Sequence, residues 1–580
     1  MRSVFLVAGL LAVEPVTAHN QPFLRNAAPQ LLRPVRHVIK ANIAVTPSNE
    51  ITPEWLETLE TDQDGKKRMS TIDAVGIIAG TAIGGGFLAL PAVTAPLGYL
   101  PSAFGLLAVW GFLSFTALTF VEAAGYAVEE AEAEGEPVTV SHASIISRAF
   151  GPRLAFLGGC AFCAQMVAVI TAQVVKGGEF LALATGAPYR VACILPTVLV
   201  GLFTFLCKPG VVERANTALA TAMLFGFAAL VAGAIAFGAG GGVAAAGVAA
   251  AGAAAGAASS AAGAGAATAS AGGWLAWLTR GQWAQLLPFG PGADTWAVPV
   301  FLNLLCFTQS VPLIVQRLLV DDEATSRGTN GEEAESSSEA AAETRTIEAA
   351  RWTALGKTRT AILSGSAVPL VLSLIWAAVA TALVPAALAA SGLDDPLFSL
   401  LTLGSRIAIP VGTLAVGAIG TTLLSSFLAF SHFANELLCS YFGYCSRRQM
   451  AIVNFLTVAV PCLLACGGST LYLPLLAFAG AYPTTLLYCL SPPLAAWTLR
   501  RRVHERRRKA MDAAKSARAI HGAEGEEEAA WIAARAPPLP RPLLPGGTFS
   551  LVVLASSAVA VLAASSWIAI RQLLSVIARA

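Results

Sequence analysis

Residues 77–87 read Ile-Ile-Ala-Gly-Thr-Ala-Ile-Gly-Gly-Gly-Phe, within the first apolar run long enough to cross a bilayer. Each glycine costs a helix about 1 kcal/mol relative to alanine. Pro91 also removes an amide donor, so the carbonyl of Phe87, four residues earlier, loses its helical partner. Unpaired backbone at bilayer depth persists only where it is buried in protein or lines a cavity. Ala79, Gly80, Thr81, Gly84, Gly85 and Gly86 therefore form a candidate solute site. The competing explanation is close helix packing through Gly76, Gly80 and Gly84. Three adjacent glycines point in different directions, which argues against packing alone. The same signature recurs where the chain reads Asn303-Leu304-Leu305-Cys306-Phe307-Thr308-Gln309-Ser310-Val311-Pro312. Pro312 frees the carbonyl of Thr308, and Val311, preceding a proline, is pushed away from helix. Half-helix N-termini offer partial positive charge to a carboxylate, and half-helix C-termini with loose carbonyls suit an ammonium group or cation. A zwitterion presents both.

Other side chains suggest how such a solute is recognised and driven. Phe307, beside the second break, is placed to stack on an aromatic ring. Gln165 and Gln173, eight apart and so on one helix face, together with Gln309 could bond a phenol or indole edge. Thr308 and Ser310 add hydroxyls at the break. Ionisable groups within spans are rare and usually functional. His432 and Glu436, four apart, form a candidate proton relay, since imidazole titrates near neutrality. The alternative sets Glu436 at the inner water interface and His432 in packing. Thr421, Thr422, Ser425 and Ser426 could supply oxygen ligands to sodium, although helix hydroxyls more often bond their own backbone. Glu122 and Glu179 lie near span ends and read as interfacial. No nucleophile–base motif or metal set is present, so an enzyme and a bound cofactor are not expected; the coupling ion is a proton, with sodium as the alternative.

The elements that hold these residues follow from composition. Of 580 residues, 56% are hydrophobic and 12% charged, about half the charge of a soluble chain. This implies an all-α multi-span membrane protein. Eleven apolar runs of sufficient length lie near 72–95, 101–123, 154–176, 191–207, 217–238, 296–320, 360–386, 410–440, 450–466, 470–498 and 549–570. The broken runs are the first and sixth, five apart. That correspondence is the pattern of two inverted five-helix repeats with discontinuous helices one and six, followed by one extra C-terminal helix. Charge orients the chain. With Lys66-Lys67-Arg68 inside, 23 of the 37 Lys and Arg residues fall in loops on that side, against six on the other; without the tail 500–548 the bias is 12 to six. The near-zero net charge of +2 suggests no nucleic-acid partner; the expected partners are an amino acid substrate and membrane lipid. Nothing in the sequence sets an oligomeric state. Cys160 with Cys163, and Cys462 with Cys466, read as small buried hydrophobes rather than zinc ligands.

The chain then divides into a leader and N-terminal arm (1–65), a first repeat (66–238), an Ala/Gly-rich outer loop (239–295), a second repeat (296–499), an inner linker (500–548) and a C-terminal helix (549–580). The basic block 500–509 is expected to lie against anionic headgroups, with a solvated linker that has no lipid role as the alternative. In the leader, Arg2 precedes an apolar run, 4–13, and no Asp or Glu occurs from 15 to 49, although Arg25, Arg33, Arg36 and Lys40 do. This is transit-peptide chemistry and points to a plastid inner envelope, with the plasma membrane or another endomembrane as alternatives.

The run 78–91 resembles the opening helix of the hydroxy/aromatic amino acid permease family, the tryptophan/tyrosine permease branch of the amino acid–polyamine–organocation superfamily. Weaker similarity lies in 299–315, in Gly365-Ser366-Ala367-Val368-Pro369-Leu370 and in 426–438. The resemblance implies alternating-access, proton-driven symport of tyrosine or tryptophan. Where the family tends to carry two acids four apart in span eight, this chain has His432 and Glu436, and Gln173 stands at the family's aromatic position in span three. The alternatives are a carrier of another neutral amino acid, or a membrane sensor that binds an amino acid without moving it.

Overall fold

The computed structural model describes residues 70–134, 140–239, 282–287, 296–320, 337–393, 395–442, 446–521, 543 and 547–577. The leader, most of the Ala/Gly-rich loop and residues 321–336 lie outside them. The described residues are helical, with no strand among them. Ten helices are long and apolar enough to cross a bilayer, and a bent pair, Thr71–Ala82 with Gly85–Leu97, brings the spans to eleven. Spans two to six are Tyr99–Ala131, Pro152–Thr185, Tyr189–Leu206, Gly210–Ala236 and Val298–Leu318. Spans seven to eleven are Gly356–Pro385, Ser405–Leu438, Arg448–Ala465, Ser469–Ile520 and Thr548–Gln572. The protein is a multi-pass integral membrane protein with interrupted first and sixth helices.

Local chemistry sets the helix ends. Ser70 caps span one, accepting from the amide of Asp73, whose carboxylate accepts from the Ser70 amide in return. Ser446 and Gln449 do the same at span nine. Gly98, at φ 86°, lets the chain leave span one and start span two at Tyr99. Small residues then allow backbones to approach, as expected where lipid tails offer no hydrophobic drive between helices. A Cβ on Gly226 would sit 2.7 Å from the Leu414 amide, and one on Gly233 would sit 2.7 Å from the Arg406 carbonyl, so spans five and eight touch main chain to main chain.

A short amphipathic helix, His142–Phe150, connects spans two and three on the inner side. Span ten is unusual. Its helix Tyr472–Ala479 passes into a π-helical stretch, Gly480–Leu490, and continues as Ser491–His521 far beyond the bilayer. The block at 500–509 is therefore helix. Arg500 pairs with Glu122 of span two, which also accepts from the Leu543 amide. Arg506 reaches Glu130 (2.8 Å) and Glu134 (3.0 Å). Arg502 donates to the last carbonyls of the connecting helix, on Arg148 and Ala149. The headgroup expectation thus fails for these three arginines, which are engaged by protein, and Glu122 is buried among its partners. A charge at a span end satisfies itself on a neighbouring helix when that helix carries the opposite charge at the same depth.

Candidate substrate site at the two helix breaks

Span one unwinds where its glycines cluster. The inner half-helix ends at Ala82, Ile83 and Gly84 are extended, and a 3-10 turn, Gly85–Ala89, leads into Leu90–Leu97 at a bend of 45°. Span six has the helix Val298–Leu304, three residues outside any helix, a 3-10 turn at Thr308–Ser310 and the helix Val311–Val315. The breaks meet: Thr81 Oγ1 lies 3.3 Å from Ser310 Oγ.

The glycines are needed for approach at two positions. A Cβ on Gly85 would collide with the side-chain amide of Gln173, and one on Gly84 would lie 2.8 Å from Thr422 Oγ1. Gly76 and Gly80 would meet no atom within 4 Å, so the 76–80–84 spacing is not a packing stripe. Gly80, Thr81 and Gln309 are exposed at the breaks, as is Ser425 on span eight. Span four, by contrast, exposes Leu195, Leu199 and Leu202.

Main-chain groups loosened by the prolines are already partnered, which changes the expected site chemistry. Trp376 of span seven donates its indole N–H to the Phe87 carbonyl at 2.9 Å and stacks on the Phe87 ring. The His142 imidazole Nε2 lies 3.2 Å from the Thr308 carbonyl. Thr422 Oγ1 accepts from the Gly85 amide at 2.6 Å, and Tyr472 donates to the Gly85 carbonyl at 3.1 Å. The carbonyls of Phe87 and Thr308 are therefore not waiting for an ammonium group, because a buried carbonyl without a partner costs about 1–3 kcal/mol and the fold supplies partners. The carbonyl end of the half-helix closing at Ala82 remains available, since the last four carbonyls of a helix have no intrahelical partner.

The remaining candidates separate by position. Gln173 is fully buried, and neither of its amide atoms has a protein partner. Gln165 donates to Thr484 Oγ1 at 3.1 Å, tying span three to span ten, while its Oε1 has no protein partner. Phe307 is buried in the core. Thr421, Thr422 and Ser425 each donate to a carbonyl of their own helix, and Ser426 is buried. His432 and Glu436 are exposed toward the inner end of span eight. Thr422 and His432 are ten residues apart, about 15 Å along a helix, so the pair is remote from the breaks. Among the described residues, no group of His, Cys, Asp and Glu could hold a metal ion.

Sequence reading did not single out His142, Trp376 or Tyr472, whose partners are 166, 289 and 387 residues away. Nor did it pair Glu179 with Lys176. Lys176 is buried, pairs with Glu179 (3.0 Å) and Asp395 (2.6 Å), and lies over the rings of Phe398 and Tyr472. Asp395 caps the short helix Pro396–Leu400 in the outer connection between spans seven and eight, so this cluster fastens that connection to span three.

Residues 67–238 match the tryptophan/tyrosine permease family. A Haemophilus influenzae protein, tyrosine-specific transport system 1, is 29% identical over 163 residues, 28% of this chain and 38% of that protein; the match thus spans well under half of the relative's length. Among solved structures, Mhp1 in an inward-facing conformation is 13% identical, covering 87% of this chain and 92% of that one, with a TM-score of 0.44. A manganese transporter of Eremococcus coleocola is also 13% identical, covering 91% and 97%, with a TM-score of 0.43. Over residues 67–238, its first five spans, the chain is tryptophan/tyrosine permease-like.

Proposed function

We propose that the protein is a secondary carrier of aromatic amino acids, tyrosine or tryptophan, working by alternating access. The observation that carries this reading is the Gln173 amide, buried against Gly85 at the span-one break with no protein partner. A buried amide left so is stabilised when a polar solute arrives. The carbonyl end at Ala82 takes the solute's ammonium, and Gln173 takes a polar edge of the ligand. The family match over the first five spans supports an aromatic substrate. Transport is proton-coupled symport in this reading. Sodium is the alternative, although one acceptor position of Thr422 Oγ1 is already taken by the Gly85 amide. The membrane is a plastid inner envelope on the composition of residues 15–49; a fluorescent fusion of residues 1–65 that stays at the cell surface would reject that placement.

Counterflow in proteoliposomes tests the function. Vesicles loaded with unlabelled tyrosine should accumulate labelled tyrosine transiently. A sensor would bind tyrosine without exchanging it, and a carrier of another neutral amino acid would exchange that solute instead.

A further inference from the structure

The two carbonyls freed by proline are treated alike by the fold. Each receives a ring N–H from an element outside its own helix, but the two rings differ in chemistry. Indole never titrates near neutrality and imidazole does. We propose that His142 is the residue on which proton coupling depends, and that its proton leaves as the state described here forms. This rests on the reading of the protein as a proton-coupled carrier.

A carbonyl only accepts, so Nε2 of His142 carries the hydrogen in its bond to Thr308. In the neutral ring Nδ1 is then a bare acceptor, and it is buried with no protein partner. The ring lies between Phe120 of span two and Tyr488 of span ten, with centroids 4.4 and 5.0 Å away. Glu129 and Glu130 of span two and Arg153 of span three stand on the packed elements, and none of them acts on the ring by its charge. Cys306 of span six contacts Thr308 Oγ1 at 3.6 Å. Glu134, just past span two on the same helix, and Arg148 pair at the far end of the connecting helix, where Arg502 of span ten also bonds. Span three contributes Ala155, Ala161 and Phe162 to the adjoining apolar cluster. Burial lowers the His142 pKa to about 4, opposed by the bond to Thr308, and no charged side chain contributes.

A proton on Nδ1 would place an imidazolium between two aromatic rings with one hydrogen bond and no counter-charge. The docked position therefore favours the neutral ring, and a charged ring favours withdrawal from the span-six break into water. The step is a proton transfer from Nδ1 to inner water, with no covalent change in the solute. The segment leading into the same helix is strapped to span six a second time, through the Val140 amide and Gln316 Oε1 at 2.7 Å. Protonation at His142 thus acts on the geometry of the break rather than on an isolated loop.

The test uses the full chain and His142→Gln, which keeps an N–H for Thr308 and cannot titrate. Wild-type proteoliposomes with a one-unit pH gradient, acid outside, should accumulate tyrosine up to tenfold for one proton per solute. The variant should stop at equal concentrations, with counterflow at equal pH retained within about twofold. Gradient-driven accumulation by the variant equal to wild type would overturn the proposal. A second measurement needs no substrate: the stability of the solubilised wild type should fall as pH drops from 6.5 to 4, more steeply than that of the variant. Equal slopes overturn the assignment. Absence of tyrosine exchange in the wild type, with the difference in slope present, sinks the tyrosine reading and still supports His142 as the titrating group. Should His142→Gln fold poorly, His142→Asn provides the same comparison.

Discussion

Replacing Gln173 with methionine should make the empty protein more stable and the carrier worse. Gln173 is fully buried, and both amide atoms lie against Gly85 with no protein partner. An unsatisfied buried polar group costs about 1–3 kcal/mol, and an apolar replacement of similar shape removes that cost. Methionine matches glutamine in length and adapts to irregular gaps. The expected gain in unfolding free energy is therefore about 1–2 kcal/mol. The loss in function comes from the same atoms. If the amide gives and accepts one hydrogen bond with the solute, at about 1 kcal/mol net each, the variant loses about 2 kcal/mol of binding, a factor of roughly 30 in Kd. The assay is thermal unfolding of purified protein across a tyrosine titration. Wild type should be stabilised as tyrosine rises, whereas Gln173→Met should start higher and respond only at concentrations about 30-fold greater. A variant that starts lower and binds tyrosine normally would refute the reasoning, since Gln173 would then be satisfied within the fold and irrelevant to the solute.

Further perturbations follow from the same geometry. Gly85→Leu should abolish tyrosine binding while the protein still inserts, because even a Cβ there collides with Gln173; unchanged uptake would argue against the site. Thr422→Val removes the oxygen that accepts from the Gly85 amide at 2.6 Å and should cost about 1–3 kcal/mol, read as lower thermal stability than Thr422→Ser. Arg500→Met leaves the buried Glu122 carboxylate without its cation and should cost about 3–5 kcal/mol, whereas adding Glu122→Leu should restore most of it; additive losses in that cycle would mean the pair is not coupled. For His142, the folded pKa of about 4 lies below the ordinary 6.5. The unfolded chain then binds the extra proton between those values, so stability is full above pH 6.5 and declines toward pH 4, by on the order of 2–3 kcal/mol. His142→Gln should flatten that part of a pH–stability profile.

The broken helices were legible in the sequence because their causes are local. Glycines at 84–86 and prolines at 91 and 312 act on their own helix within four residues, so both interruptions and both freed carbonyls could be named from spacing. Eleven spans were legible for a similar reason, since apolar length is set by bilayer thickness. What fills the carbonyls was not, because Trp376 and His142 reach them across 289 and 166 residues. Each is a single ring in a run with no periodic signal. The basic run at 500–509 misled because charge density alone does not distinguish lipid phosphate from carboxylates at 122, 130 and 134 on another helix. The bond between Thr422 and the Gly85 amide was likewise invisible in the sequence, since the two residues lie 337 positions apart.

The most direct measurement is a density map of the protein with bound tyrosine. The account requires the amino acid between the Ala82 end of the first half-helix and the Thr308–Ser310 turn, with the Gln173 amide within hydrogen-bonding distance. Tyrosine bound beside His432 and Glu436, or spans one and six drawn as continuous helices with no space between them, would contradict it.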